Sequence, residues 1–191
     1  MTLTDSLLSI ESWLLRLGRV QLLEALRPGV SRVVVEQSLA RAGMTSVAPL
    51  EELYGWHDGT ERPGDGIVDG VEVIPGFYLL GLEEALAVRI LYLEQDTWAP
   101  HWLPILTDGA GYFYLVDLSA GADPTVLRWE FDDPEAVVSF ESIDLLVDTI
   151  FHAYSRGVIF VDPWGYLDMD EAQFAALASD LNPTADAWRE E

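Results

Sequence analysis

Three apolar runs, WLPILT (residues 102–107), YFYLVDL (112–118) and TVLRWEF (125–131), follow one another with only short turns between them. Parallel neighbours need a crossover of a dozen residues or more, so runs this closely spaced can pair only as antiparallel strands. The middle of the chain therefore reads as a meander. In the third run Leu127, Trp129 and Phe131 share one side, and Val126, Arg128 and Glu130 share the other. That alternation predicts a sheet with one buried face. Asp108-Gly109-Ala110-Gly111, between the first two runs, would cradle a phosphate only if a helix followed it and aimed its backbone N–H groups at the anion. A strand-like run follows instead, so the stretch reads as a hairpin turn.

The flanking sequence is helical in period. Residues 5–26 carry Leu7, Ile10, Leu14 and Leu17 on one stripe and stop at RPGV. A second helix starts at Ser31, with Val35, Leu39 and Ala42 aligned and Gly43 beyond its end. A third covers residues 49–57 with Leu50, Leu53, Tyr54 and His57, and Gly59 is placed for a left-handed turn after it. TERPGDGIVDG, residues 60–70, is a long polar loop and a candidate functional one. VEVIPGFYLLG reads as extended, and residues 82–94 as a helix with Leu82, Leu86, Ile90 and Leu93 facing inward. Residues 141–156 form a helix with Ile143, Leu146, Val147, Ile150 and Tyr154 inward and Gly157 at its end. VIFV and GYLDM are short extended pieces. Asp170 with Gln173 caps a last helix bearing Phe174, Leu177 and Leu181, which Asn182-Pro183 closes. The expected architecture is α+β: an antiparallel meander with helices packed on it.

Composition removes several chemistries. There is no cysteine, which excludes thiol nucleophiles, disulfides and cysteine–zinc sites. All ten basic residues are arginine, so Schiff-base lysines and the P-loop lysine are absent too. The net charge is −23, and it is uneven. Residues 1–50 hold four acids and five arginines, whereas residues 51–191 hold the other 29 acids against five arginines. Such a body repels nucleic acid, which is bound mainly through basic contacts. It attracts a basic protein partner, or it serves solubility alone. The opening MTLTDSLLSIESWLLRL has neither a basic n-region nor an unbroken apolar run, so neither a signal peptide nor a membrane span is expected, and the expected location is cytoplasmic.

No catalytic constellation stands out. His57, His101 and His152 lack the i, i+4 spacing of a zinc helix. Asp162, Asp168, Asp170 and Glu171 crowd together, but not at EF-hand spacing, so a turn followed by a helix cap accounts for them. No serine sits in a nucleophile elbow. A carboxylate- or metal-dependent enzyme stays open only because acids are so abundant. Two aromatic–acidic clusters are the candidate partner-binding residues: Glu51, Glu52, Trp56, Asp58, Glu61, Asp65 and Asp69, and then Trp164, Tyr166, Asp168 and Asp170. Rings ringed by carboxylates suit a basic partner; the alternative is a solvated face beside core rings.

LEELYGWHDGT as helix and turn, IPGFYLLGLEEAL as strand and helix, and WLPILTDGAGYFYLVDL as hairpin occur in this order. VLRWEFDDPEAVVSFESIDLLVDTIFHAYSRGVIF continues the likeness, so that residues 30–181 resemble the SUKH superfamily in its Smi-one/Knr-four branch. The resemblance implies an α+β fold without catalytic machinery or cofactor. Bacterial members are immunity proteins that bind and neutralise polymorphic toxins, often nucleases; fungal members act as interaction hubs in cell-wall regulation. It divides the chain into an N-terminal helical extension, residues 1–29, and a SUKH-like domain, residues 30–191. The extension would serve in homodimerisation or docking, with Arg16, Arg19 and Arg27 resting against the acidic body. The expected partner is a basic protein, a cognate toxin domain, and neither nucleic acid nor membrane.

Overall fold

The first helix, α1 (Leu3–Arg16), begins with a reciprocal cap. The Thr2 hydroxyl accepts the Asp5 N–H, and the Asp5 carboxylate accepts the Thr2 N–H. The structure, a computed structural model, describes residues 1–61, 70–119, 121–133 and 135–189. The single helix expected over residues 5–26 is two. Gly18 takes a left-handed φ of 74° and breaks it, and α2 (Val20–Ala25) starts after three intervening residues. Leucine periodicity runs through the break because Leu14 and Leu22 both reach the same core. The leucine spacing alone could not reveal the glycine stop.

A short strand, β1 (Leu26–Pro28), leads to α3 (Arg32–Arg41) and α4 (Ala48–Trp56). The expected third helix ends one residue early, since His57 is already extended at φ −145° and ψ 138°. It opens β2 (His57–Thr60), antiparallel to β1. Gly59 does take a positive φ, 81°, but inside this strand. There a Cβ would collide with the backbone of Gly81, so Gly59 is demanded by conformation and close approach, and Gly81, at φ −71°, by close approach alone.

The meander forms as expected and gains a strand at each edge. β3 (Tyr78–Leu79) precedes α5 (Leu82–Tyr92); then come β4 (Trp102–Thr107), β5 (Tyr112–Asp117), β6 (Val126–Glu130) and β7 (Val137–Phe140). The sheet order is β3-β4-β5-β6-β7, every pair antiparallel. Of VEVIPGFYLLG, only Tyr78–Leu79 joins the sheet, next to an isolated bridge between Ile74 and Phe77.

The expectation of one buried face fails. The register sets Phe113 against Trp129 and Leu115 against Leu127 on one side, and Val116 against Val126 and Phe140 on the other, and all of these are buried. Rings cover the first face: Trp98 packs on Phe113 and Trp129, and Tyr92 of α5 packs on all three. On the second, Phe77 and Phe140 flank Tyr114, and burial pushes the Tyr114 phenol up to about 12. Leu127 and Trp129 are covered as predicted, but Phe131, on the same side, lies past the cover and is exposed.

Helix α5 is rotated from its expected orientation. Leu82, Ala85 and Arg89 point inward, while Ile90 and Leu93 are exposed and Leu86 is half-buried. Arg89 is tolerated inside because its guanidinium donates to the Pro100 carbonyl, through Nε at 2.8 Å and through a second nitrogen.

After β7 come α6 (Ile143–Ser155), the hairpin β8 (Ile159–Val161) and β9 (Leu167–Met169), and α7 (Glu171–Leu181). All five predicted inward residues of α6 are buried. Ser142 and Asp170 cap α6 and α7, and Gly157 takes its left-handed turn at φ 70°. Helices α1 and α6 pack side by side over the second face of the sheet, and the 1–29 segment shares one continuous core with the rest. Its stripe of Leu7, Ile10 and Leu14 lies inside that core.

Asp108-Gly109-Ala110-Gly111 is a hairpin turn. One Asp108 carboxylate oxygen accepts the N–H groups of Ala110, Gly111 and Tyr112 at 2.8–3.1 Å. Asp108→Ala leaves three donors without that acceptor and is expected to cost about 1–2 kcal/mol in urea unfolding, with amide exchange quickening first at residues 110–112.

Candidate interaction surface

Between α1 and α4 the surface opens into a groove of about 420 Å³. Thr4, Leu8 and Glu11 of α1 form one wall, Glu52 and Trp56 of α4 the other. The wall residues of α1 are spaced i, i+4, i+7, one stripe round from the buried Leu3, Leu7, Ile10 and Leu14. Gly55, without a side chain, leaves the groove open between the helices. The Glu52 carboxylate accepts the Thr4 hydroxyl at 2.8 Å, tying the walls together. The Trp56 indole N–H donates to Glu11 at 3.2 Å. His57 closes one end: its Nδ1 donates to the Arg27 carbonyl at 2.9 Å, which turns Nε2 toward Glu11 at 3.8 Å.

A second acidic group, outside the groove's lining, sits where α1 meets α6. The Ser6 hydroxyl donates to Asp148 on α6 at 2.5 Å. Next to it, the Asp144 carboxyl is held above its ordinary range by burial first, then by the charges of Asp123, Glu52 and Asp148. Like charges in electrostatic reach of one another are a cost that a cationic partner would remove.

Of the first predicted cluster, Glu52 and Trp56 meet in this groove. Glu51 does not: it is 9% exposed and pairs with Arg32 at 3.1 Å. Asp58 is also turned inward, accepting the Leu82 N–H at 2.8 Å at the start of α5. Glu61 is exposed beyond β2. Asp65 and Asp69, with the rest of residues 62–69, lie outside the described residues. Glu11, Asp144 and Asp148 were missed; the polar stripe beside the leucines of α1 was visible, but its facing helix was not.

The second cluster holds together on the β8–β9 hairpin. Asp162 accepts the N–H groups of Trp164 and Tyr166, and this turn holds their rings outward, 81% and 52% exposed. Asp168 is exposed, whereas Asp170 is the cap of α7, its carboxyl held low by the Gln173 backbone and side chain. The cap reading of this acidic stretch therefore accounts for Asp162 and Asp170. Arg19 donates to the Gly165 carbonyl at 3.1 Å and fixes the hairpin to the α1–α2 break. Arg27 likewise meets the acidic body, at the Asp58 carbonyl and Glu84. Arg16 instead stacks over Trp13 of its own helix.

Among the described residues, no group of three or more His, Asp or Glu side chains is placed to hold a metal ion. His101 sits 3.3 Å from Asp117, and His152 packs beside Phe151. An apolar gap beneath the groove, lined by Leu7, Leu53, Ile105 and Ile150, admits about 20 Å³. Substrate sites run to roughly 300–1,000 Å³. Among the described residues no helix is long and apolar enough to cross a membrane.

Asp144→Asn removes one charge from the crowded acidic group where α1 meets α6. Because the folded protein holds this carboxyl above its unfolded pKa, the ionised form destabilises above the folded value, and the cost fades as pH falls through it. The substitution is expected to raise Tm by about 1–3 °C at pH 7. In a calorimetric series the gain should vanish in acid and shrink in high salt.

The sequence matches the SMI1 / KNR4 family (SUKH-1) over residues 48–148, from α4 into α6 and more than half of the chain, with α1 preceding the matched region. Among curated proteins none matches it. The family match supports a protein-binding module of the immunity or regulator type. With the antiparallel sheet and its helices in the matched order, the chain belongs to the SMI1 / KNR4 family (SUKH-1).

Proposed function

We propose that this protein is a non-enzymatic binding module, an immunity protein that occludes a basic, nuclease-type toxin domain in the cytoplasm. The observation that carries the reading is the α1–α4 groove with carboxylates on both walls. Its apolar lining is Leu7, Leu8 and Trp56, its charged side chains are Glu11 and Glu52, and Asp144 of α6 lies within electrostatic reach of Glu52. A nuclease holds a polyanion with basic residues. An acidic groove with an aromatic anchor competes for that same basic surface. The exposed Trp164 and Tyr166, with Asp168, offer a further contact at the far end of α1.

A regulatory or scaffolding role of the cell-wall-regulator type is the second reading. Two separate aromatic–acidic surfaces, the groove and the hairpin tip, favour it, because one molecule could engage two partners at once.

The test is co-expression with the toxin domain encoded beside this gene. The protein is expected to restore growth, and binding is expected to weaken steeply between low and physiological salt. Glu52→Arg should lower affinity by at least tenfold, mostly through slower association and faster release. Failure to protect against any neighbouring toxin, or salt-independent binding, overturns the immunity reading.

A further inference from the structure

The last turn of α5 presents apolar side chains to solvent. Ile90 is 65% and Leu91 70% exposed, and Leu93, at the helix end, is also exposed. Phe131, at the end of β6, extends this face. Its ring lies 6.4 Å from that of Tyr92, edge to face, and its N–H donates to the Gly111 carbonyl at 3.1 Å. Tyr92, next to Leu91 in the chain, thus sets the exposed Phe131 beside the end of α5. Scattered surface apolar residues need no explanation, but several at one helix end with an exposed ring beside it do.

The surroundings are acidic. Glu94 and Asp96 follow the helix directly and are exposed, the chain being turned there by the Gln95 N–H on the Tyr92 carbonyl. Asp132 and Asp133 follow Phe131 and are exposed as well. Asp132, Glu130 and Asp108 lie close enough to hold the Tyr112 phenol above its ordinary range, and Asp108 does the same, after burial, to Tyr92. The C-terminal carbonyls of α5 add partial negative charge at the same place. The neighbouring arginines are engaged: Arg89 on the Pro100 carbonyl, Arg128 with Glu130 at 3.3 Å.

We infer that the outer end of α5 together with Phe131 is a docking face for a cationic amphipathic segment of another protein, its apolar residues seated on Ile90, Leu91 and Phe131 and its arginines or lysines on the surrounding carboxylates. A second copy of this chain is disfavoured as occupant, because two such rims would oppose like charges. The inference stands apart from the α1–α4 groove and holds whether or not a toxin occupies that groove.

The test titrates the isotope-labelled full chain with a synthetic peptide of leucines and arginines arranged as an amphipathic helix. A scrambled peptide of identical composition is the control. Amide shifts are expected to centre on residues 90–93 and 131, with weaker binding by the scrambled peptide. Leu91→Ser and Phe131→Ser, each checked for an unchanged fold by thermal melting, should each weaken binding roughly tenfold. Glu52→Arg, in the groove, should not. Equal binding by the scrambled peptide, shifts centred on the groove or the Trp164 hairpin, or unchanged affinity in both serine variants would overturn the inference. So would a dimer in sedimentation of the protein alone that Leu91→Ser dissolves.

Discussion

Leu7, Ile10 and Leu14 of α1 are at most 2% exposed, seated in the same core as α4, α6 and the sheet. Burying three such side chains contributes on the order of 5–8 kcal/mol, comparable with the net stability of a whole domain. Both candidate surfaces hang on this contact. The groove exists because α1 runs beside α4 with Gly55 between the walls, and the β8–β9 hairpin is fixed through Arg19 just past the end of α1. The N-terminal segment precedes the family-matched region, yet it acts as a structural member of the fold.

Charge is organised in the same way. Three of the five arginines of the first fifty residues clasp the acidic remainder: Arg19 on Gly165, Arg27 on Asp58 and Glu84, Arg32 on Glu51. Each of these contacts joins residues distant in sequence. What remains on the outside is a surface of carboxylates with few cations beside them, which favours association with a basic macromolecule over self-association.

Elements with one strong local signal were legible in the sequence. The meander followed from turn lengths, the α6 stripe from its period, and the α7 cap from Asp170 and Gln173. Helix α5 was misread because it carries apolar residues on nearly every side, so period alone could not choose between the Ala85–Arg89 face and the Ile90 face. Arg89 in particular is admitted by a carbonyl eleven residues away. At the candidate site the exposed rings of Trp164 and Tyr166 were legible because Pro163 and Gly165 make the intervening turn. Glu51 and Asp58 were not, because their partners, Arg32 and the Leu82 amide, are set by tertiary packing.

Trp164 stands 81% in solvent, while Trp98 and Trp129 are sealed in the core and Trp13, Trp56, Trp102 and Trp188 are half-covered. The indole at the hairpin tip is accordingly the fluorophore that a neutral quencher such as acrylamide reaches first; iodide would be held off by the surrounding anionic surface. Selective loss of red-edge emission thus isolates one reporter among seven. The molecule carries its own optical label for whether that tip is free or covered.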